Sequence, residues 1–94
     1  MIDFAATDAL DDAALRALLA GDDGRARVLA AWRIALRRGT AMPEIVDAVR
    51  GEPSPGVRRA LLAILAGHGE LDVLVALGRH DPAEVVRAAA FALI

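Results

Sequence analysis

Asp81-Pro82-Ala83-Glu84-Val85-Val86-Arg87-Ala88-Ala89-Ala90 decides the fold of this 94-residue chain. An acidic residue followed by proline makes a turn and starts a helix, and the helix then runs through small and aliphatic residues. Two earlier stretches have the same shape: Glu52-Pro53-Ser54-Pro55-Gly56-Val57-Arg58-Arg59-Ala60-Leu61 and Asp22-Asp23-Gly24-Arg25-Ala26-Arg27-Val28-Leu29-Ala30-Ala31. Asp22 to Glu52 is 30 positions and Glu52 to Asp81 is 29. A fixed period of this size marks stacked helical pairs, each too small to bury its own apolar face.

The punctuation between these stretches predicts six helices. A first runs from Asp8 to Ala20, with Leu10, Leu15, Leu18 and Leu19 on one stripe and Gly21 as a left-handed stop. A second runs from Arg25 to Arg38, with Val28, Trp32, Ala35 and Leu36 inward. Pro43 opens a third that carries Ile45, Val46 and Val49 inward and ends at Gly51. Ser54 caps a fourth, from Pro55 to Gly67, with Leu61, Leu62 and Leu65 as its apolar residues. Glu70 to Arg79 forms a fifth, with Leu71, Leu74, Val75 and Leu77. Asp81 as N-cap, Pro82 at N1 and Glu84 at N3 in a capping box start the sixth. Short connections make successive helices antiparallel. The expected fold is all-α: a short right-handed α-solenoid of about three antiparallel helix pairs. One domain covers residues 1–94, with repeats near 8–38, 41–66 and 70–94.

Composition fits that reading. Apolar residues make up 56% of the chain, but the only aromatics are Phe4, Trp32 and Phe91, so the core must be aliphatic and Ala-rich. No strand-length run alternates apolar and polar residues. Cysteine is absent, which removes disulfides and thiolate metal sites. No apolar run reaches membrane-spanning length and the N-terminus lacks a basic leader, so a cytoplasmic location without membrane attachment is expected. All eleven basic residues are Arg, a usage that suggests a GC-rich bacterial source. The net charge of −2 is polarised: residues 1–24 carry −5, and residues 25–38 carry +5.

At the turn residues the chain resembles HEAT repeats, especially the short bacterial kind related to phycobilisome-lyase-type HEAT proteins. The third repeat is similar at Asp81-Pro82, Val86-Arg87, Ala89-Ala90 and Ala92-Leu93, and the second at Glu52-Pro53, Val57-Arg58, Ala60 and Ala63-Ile64. The first is degenerate. Counted from Asp22, Arg27 falls in the Val slot and Val28 in the Arg slot, although Ala30-Ala31 and Ile34 agree. The period is shorter than the ~40–47 residues of larger HEAT or armadillo units. The resemblance implies that Asp22, Glu52 and Asp81 join Arg58 and Arg87 in a structural ladder between repeats. It also implies a protein-binding scaffold that needs no cofactor, with an accessory role beside a cofactor-bearing partner as a further family analogy.

Two surfaces are candidate binding sites. Arg25, Arg33, Arg37 and Arg38 form either a solvated face balancing the acidic first helix or a surface for an acidic protein or polyanion. A nucleic-acid groove would call for a more basic domain with stacking aromatics. At the other end no charge follows Arg87, so Phe91, Leu93 and Ile94 are expected to lie in a partner or self-association interface, or to lead into a longer array. Catalysis has little to use. Ser54, Thr7 and Thr40 sit at helix boundaries, and no Lys, Cys or Tyr is present. His68 and His80 lie at helix ends without a third metal ligand.

Overall fold

In a computed structural model, the described residues are 3–38, 43–67 and 71–93. They form a short 3-10 helix (Ala5–Ala9) and six α-helices: α1 (Asp12–Leu19), α2 (Gly24–Arg38), α3 (Pro43–Gly51), α4 (Pro55–Gly67), α5 (Leu71–His80) and α6 (Glu84–Leu93). No strand occurs among the described residues. The all-α class is as expected.

Each odd-numbered helix packs on the next even-numbered one, and α4 lies between α2 and α6. The 3-10 helix packs on α2. One continuous core joins the pairs, running from Leu15 through Ala31, Ile45, Leu61 and Leu74 to Ala90. Alanine at the facing positions of α2 and α6 lets helices approach closely. Gly24 marks a tight contact between α2 and α4, since a Cβ there would stand 2.8 Å from Val57 Cγ2.

Ile45, Val49, Leu61, Leu62, Leu65 and Leu74 are fully buried where apolar periodicity put them. Other expectations need correction. The first helix is broken, because Leu10 is extended (φ −86°, ψ 141°) and Asp11, not Asp8, caps α1 by accepting from the Ala14 N–H at 2.8 Å. Gly21 is not left-handed, and its N–H bonds the Leu18 carbonyl at 3.1 Å. Trp32 and Leu36 do not face inward; they are 51% and 55% exposed, while Ala26, Leu29, Ala30, Ala31, Ile34 and Ala35 are buried. The sides of α2 that α1, α4 and the 3-10 helix cover carry the alanines with Leu29 and Ile34, and Trp32 and Leu36 fall outside that cover. Leu71 is likewise exposed.

The capping box at α6 does not form. The Asp81 N–H bonds the Leu77 carbonyl at 3.0 Å, so Glu84 has no free amide there to reach back to. Ala83 takes the capping position instead, its carbonyl accepting from the Val86 and Arg87 amides at 3.1 Å. The Asp81 carboxylate still accepts from the Ala83 amide at 2.8 Å, and its remaining bonds go to Arg58 of α4. Glu70, His68, Thr40, Gly39 and Ile94 lie outside the described residues.

Candidate interaction surfaces

The turns are joined by buried guanidinium–carboxylate pairs. Arg27 donates from Nε to Glu52 Oε2 and from Nη2 to Glu52 Oε1, both at 2.7 Å. One pair further on, Arg58 donates from Nε to Asp81 Oδ2 at 2.9 Å and from Nη2 to Asp81 Oδ1 at 3.0 Å. The third guanidinium nitrogen binds backwards in each case: Arg27 Nη1 to the Gly21 carbonyl at 2.9 Å, and Arg58 Nη1 to the Glu52 carbonyl at 2.8 Å. Arg87 Nη1 repeats this with the Asp81 carbonyl at 2.6 Å. Arg27 and Arg58 thus each tie their own turn, six residues back, to the carboxylate of the next turn, while Arg87 makes only the backward bond.

This geometry resets the register of the first repeat. Arg27 occupies the Arg slot and Ala26 the Val slot, while Gly21 stands where Glu52 and Asp81 stand. Asp22 is exposed and no rung of the ladder; the earlier placement of Arg27 and Val28 is one position out. Counting from the arginines, Arg27, Arg58 and Arg87 are 31 and 29 apart, a signal present in the sequence.

Both carboxylates are held below their ordinary pKa. For Glu52 the hydrogen bonds from Arg27 lead, outweighing burial, with help from the Ser54 amide at 3.1 Å. For Asp81 burial pulls upward most strongly, but the Arg58 hydrogen bonds, the Ala83 amide at 2.8 Å and the charges of Arg58 and Arg87 together win. The Glu52 hydrogen bonds in turn push Arg27 upward. Bidentate pairing of this kind suits a planar guanidinium and would not suit lysine.

The basic face of α2 is largely engaged within the molecule. Arg33 donates to the Thr7 hydroxyl at 2.9 Å and the Phe4 carbonyl at 3.0 Å, and its guanidinium lies 4.2 Å from the Phe4 ring centre. Arg37 reaches the Asp8 carbonyl at 2.9 Å and the Thr7 carbonyl at 3.3 Å. Arg38 meets Asp12 at 3.2 Å. Arg25 is exposed near the start of α2. Arg33 and Arg37 therefore pin the 3-10 helix, and Thr7, whose hydroxyl also donates to the Phe4 carbonyl at 2.6 Å, is fully buried beneath them. Nothing in the sequence near Thr7 signals that role.

Between α2 and α4 lies an apolar groove of about 370 Å³ walled by Val28, Trp32, Leu36, Ala60, Ala63, Ile64 and Gly67. Trp32 leans on Phe4, their ring centres 5.3 Å apart. Val28, Trp32 and Leu36 fall at i, i+4 and i+8, a stripe separate from the alanine face of the same helix. On α6, Phe91 is 55% and Leu93 39% exposed.

Among the described residues no group of three His, Cys, Asp or Glu is placed to hold a metal, and no helix is long and apolar enough to cross a membrane. Ser54 is an N-cap, accepting from the Val57 amide at 3.4 Å, and His80 lies exposed at the end of α5. Comparison with known proteins gives no match: no family model, no curated protein and no solved structure matches the chain.

Proposed function

We propose that the chain is a HEAT-like right-handed α-solenoid that serves as a non-catalytic protein-binding module. The observation that carries this is the α2–α4 groove, where a half-exposed Trp32 and Leu36 flank a floor of Ala60, Ala63 and Gly67. A large aromatic left half-exposed beside small residues is the composition of a binding hot spot with room for an anchor. The ligand we expect is an amphipathic helical segment that inserts one or two apolar side chains. A cytoplasmic setting goes with this reading, supported by the absence of cysteine. The Arg-lined alternative has less support, because Arg33 and Arg37 already hold the N-terminal segment and Arg38 meets Asp12 of α1.

Selection of displayed amphipathic helical peptides against the chain tests it. Enriched peptides should share apolar anchors, shift the emission of the single tryptophan, and lose binding to a Trp32→Glu/Leu36→Glu variant. Failure to enrich any sequence, or equal binding by the variant, would sink the proposal.

A further inference from the structure

The ladder has an open rung. Counting four residues on from each ladder arginine gives Ala31, Leu62 and Phe91, one turn along the same side of α2, α4 and α6. Ala31 and Leu62 are fully buried in the common core, whereas Phe91 is 55% exposed. The arginines differ in the same way. Arg27 and Arg58 each place Nε and Nη2 against a carboxylate, but among the described residues Arg87 has only the backward bond from Nη1 to the Asp81 carbonyl. Its carboxylate-binding edge is therefore open on α6 beside exposed Ala88, and one turn along the Phe91 ring, whose far edge rests over Gly78 of α5, is still 55% exposed.

We infer that this side of α6 docks a helical hairpin carrying an Asp or Glu in its connecting turn. The two internal junctions specify the occupant: a carboxylate that takes both Nε and Nη2, and a second helix whose small or aliphatic side chains cover Phe91. Charge complementarity at Arg87 excludes a purely apolar cover, because a buried guanidinium edge left unpaired is costly.

A second copy stacked head to tail does not meet the specification. The matching slot on its first turn is Gly21, which has no carboxylate. The side of α2 opposite Gly24 and Val28 carries Arg33 and Arg37, and the 3-10 helix already sits there. This inference uses α6 and does not rest on the α2–α4 groove.

The test appends a copy of residues 66–94 after Ile94 of the full chain, which sets the copied Asp81 at the same spacing from Arg87 that Asp81 has from Arg58. Amide exchange in α6 should slow, and the urea midpoint of the original helices should rise. Replacing the copied Asp81 by Asn and applying Arg87→Gln should show a coupling of about tenfold in the unfolding constant, absent from the unextended chain. Unchanged exchange in α6, whether the copy folds alone or not at all, overturns the inference, as does zero coupling. So does a stable dimer of the unmodified chain that Phe91→Asp dissociates, which would make a second copy the occupant.

Discussion

Arg58 and Asp81, 23 positions apart, form the most deeply buried ion pair among the described residues, with side chains 11% and 2% exposed. The pair joins α4 to the turn before α6. It also draws in the Glu52 carbonyl, so one guanidinium fixes two successive turns.

Removing one partner should therefore be severe. Arg58→Met leaves the Asp81 carboxylate and the Glu52 carbonyl short of donors, and should cost about 3–5 kcal/mol by urea denaturation. Arg58→Met combined with Asp81→Leu should cost less than the single change, since no buried charge remains. A double variant weaker than the single would contradict this.

Acid should loosen the molecule at its turns. Glu52 and Asp81 have folded pKa values below their unfolded ones, near 4.3 and 3.9. Their stabilisation is complete above those unfolded values and is lost as pH falls through the lower folded values. Thermal scans should show a flat midpoint from pH 7 to about 5 and a decline below about 4. In Glu52→Gln the decline should be shallower, though the starting midpoint is lower.

Arg33 anchors the N-terminal segment through Thr7 and Phe4. Arg33→Ala should cost about 1–2 kcal/mol through the lost hydrogen bonds. It should also expose residues 3–10 to limited proteolysis while α4 to α6 stay protected. Unchanged cleavage there would show that Arg37 alone suffices.

Gly24 is set by contact with Val57. Gly24→Val drives branched carbons into Val57 Cγ2 and should cost about 1–3 kcal/mol as overpacking. Val57→Ala should recover much of that loss. No recovery in the double variant would place the strain elsewhere.

Helix number and class were legible in the sequence because proline, glycine and capping residues punctuate it and apolar residues recur at helical spacing. The ladder was legible at Glu52, Arg58 and Asp81. It was misread at Arg27 because the first turn keeps its acids one and two positions late, at Asp22 and Asp23, where Asp23 serves instead to cap α2 through the Arg25 and Ala26 amides. Trp32 and Leu36 misled for a different reason. Periodicity locates an apolar stripe, but α2 has two, and which is buried depends on how many neighbours crowd the helix. The fate of the basic face turned on backbone carbonyls of a 3-10 helix, and carbonyl direction leaves no mark in side-chain sequence.

Gly24 and Val57 are in close contact between α2 and α4 beside the Arg27–Glu52 pair, whereas the groove opens further along, between Trp32, Leu36 and Gly67. On the proposed binding, the two helices form a jaw fastened at one end by the Arg27–Glu52 ionic clasp. A guest that spreads the jaw must do so by bending or tilting helices against that clasp. Resistance to entry is then set as much by the distant charge pair as by the apolar walls the guest touches.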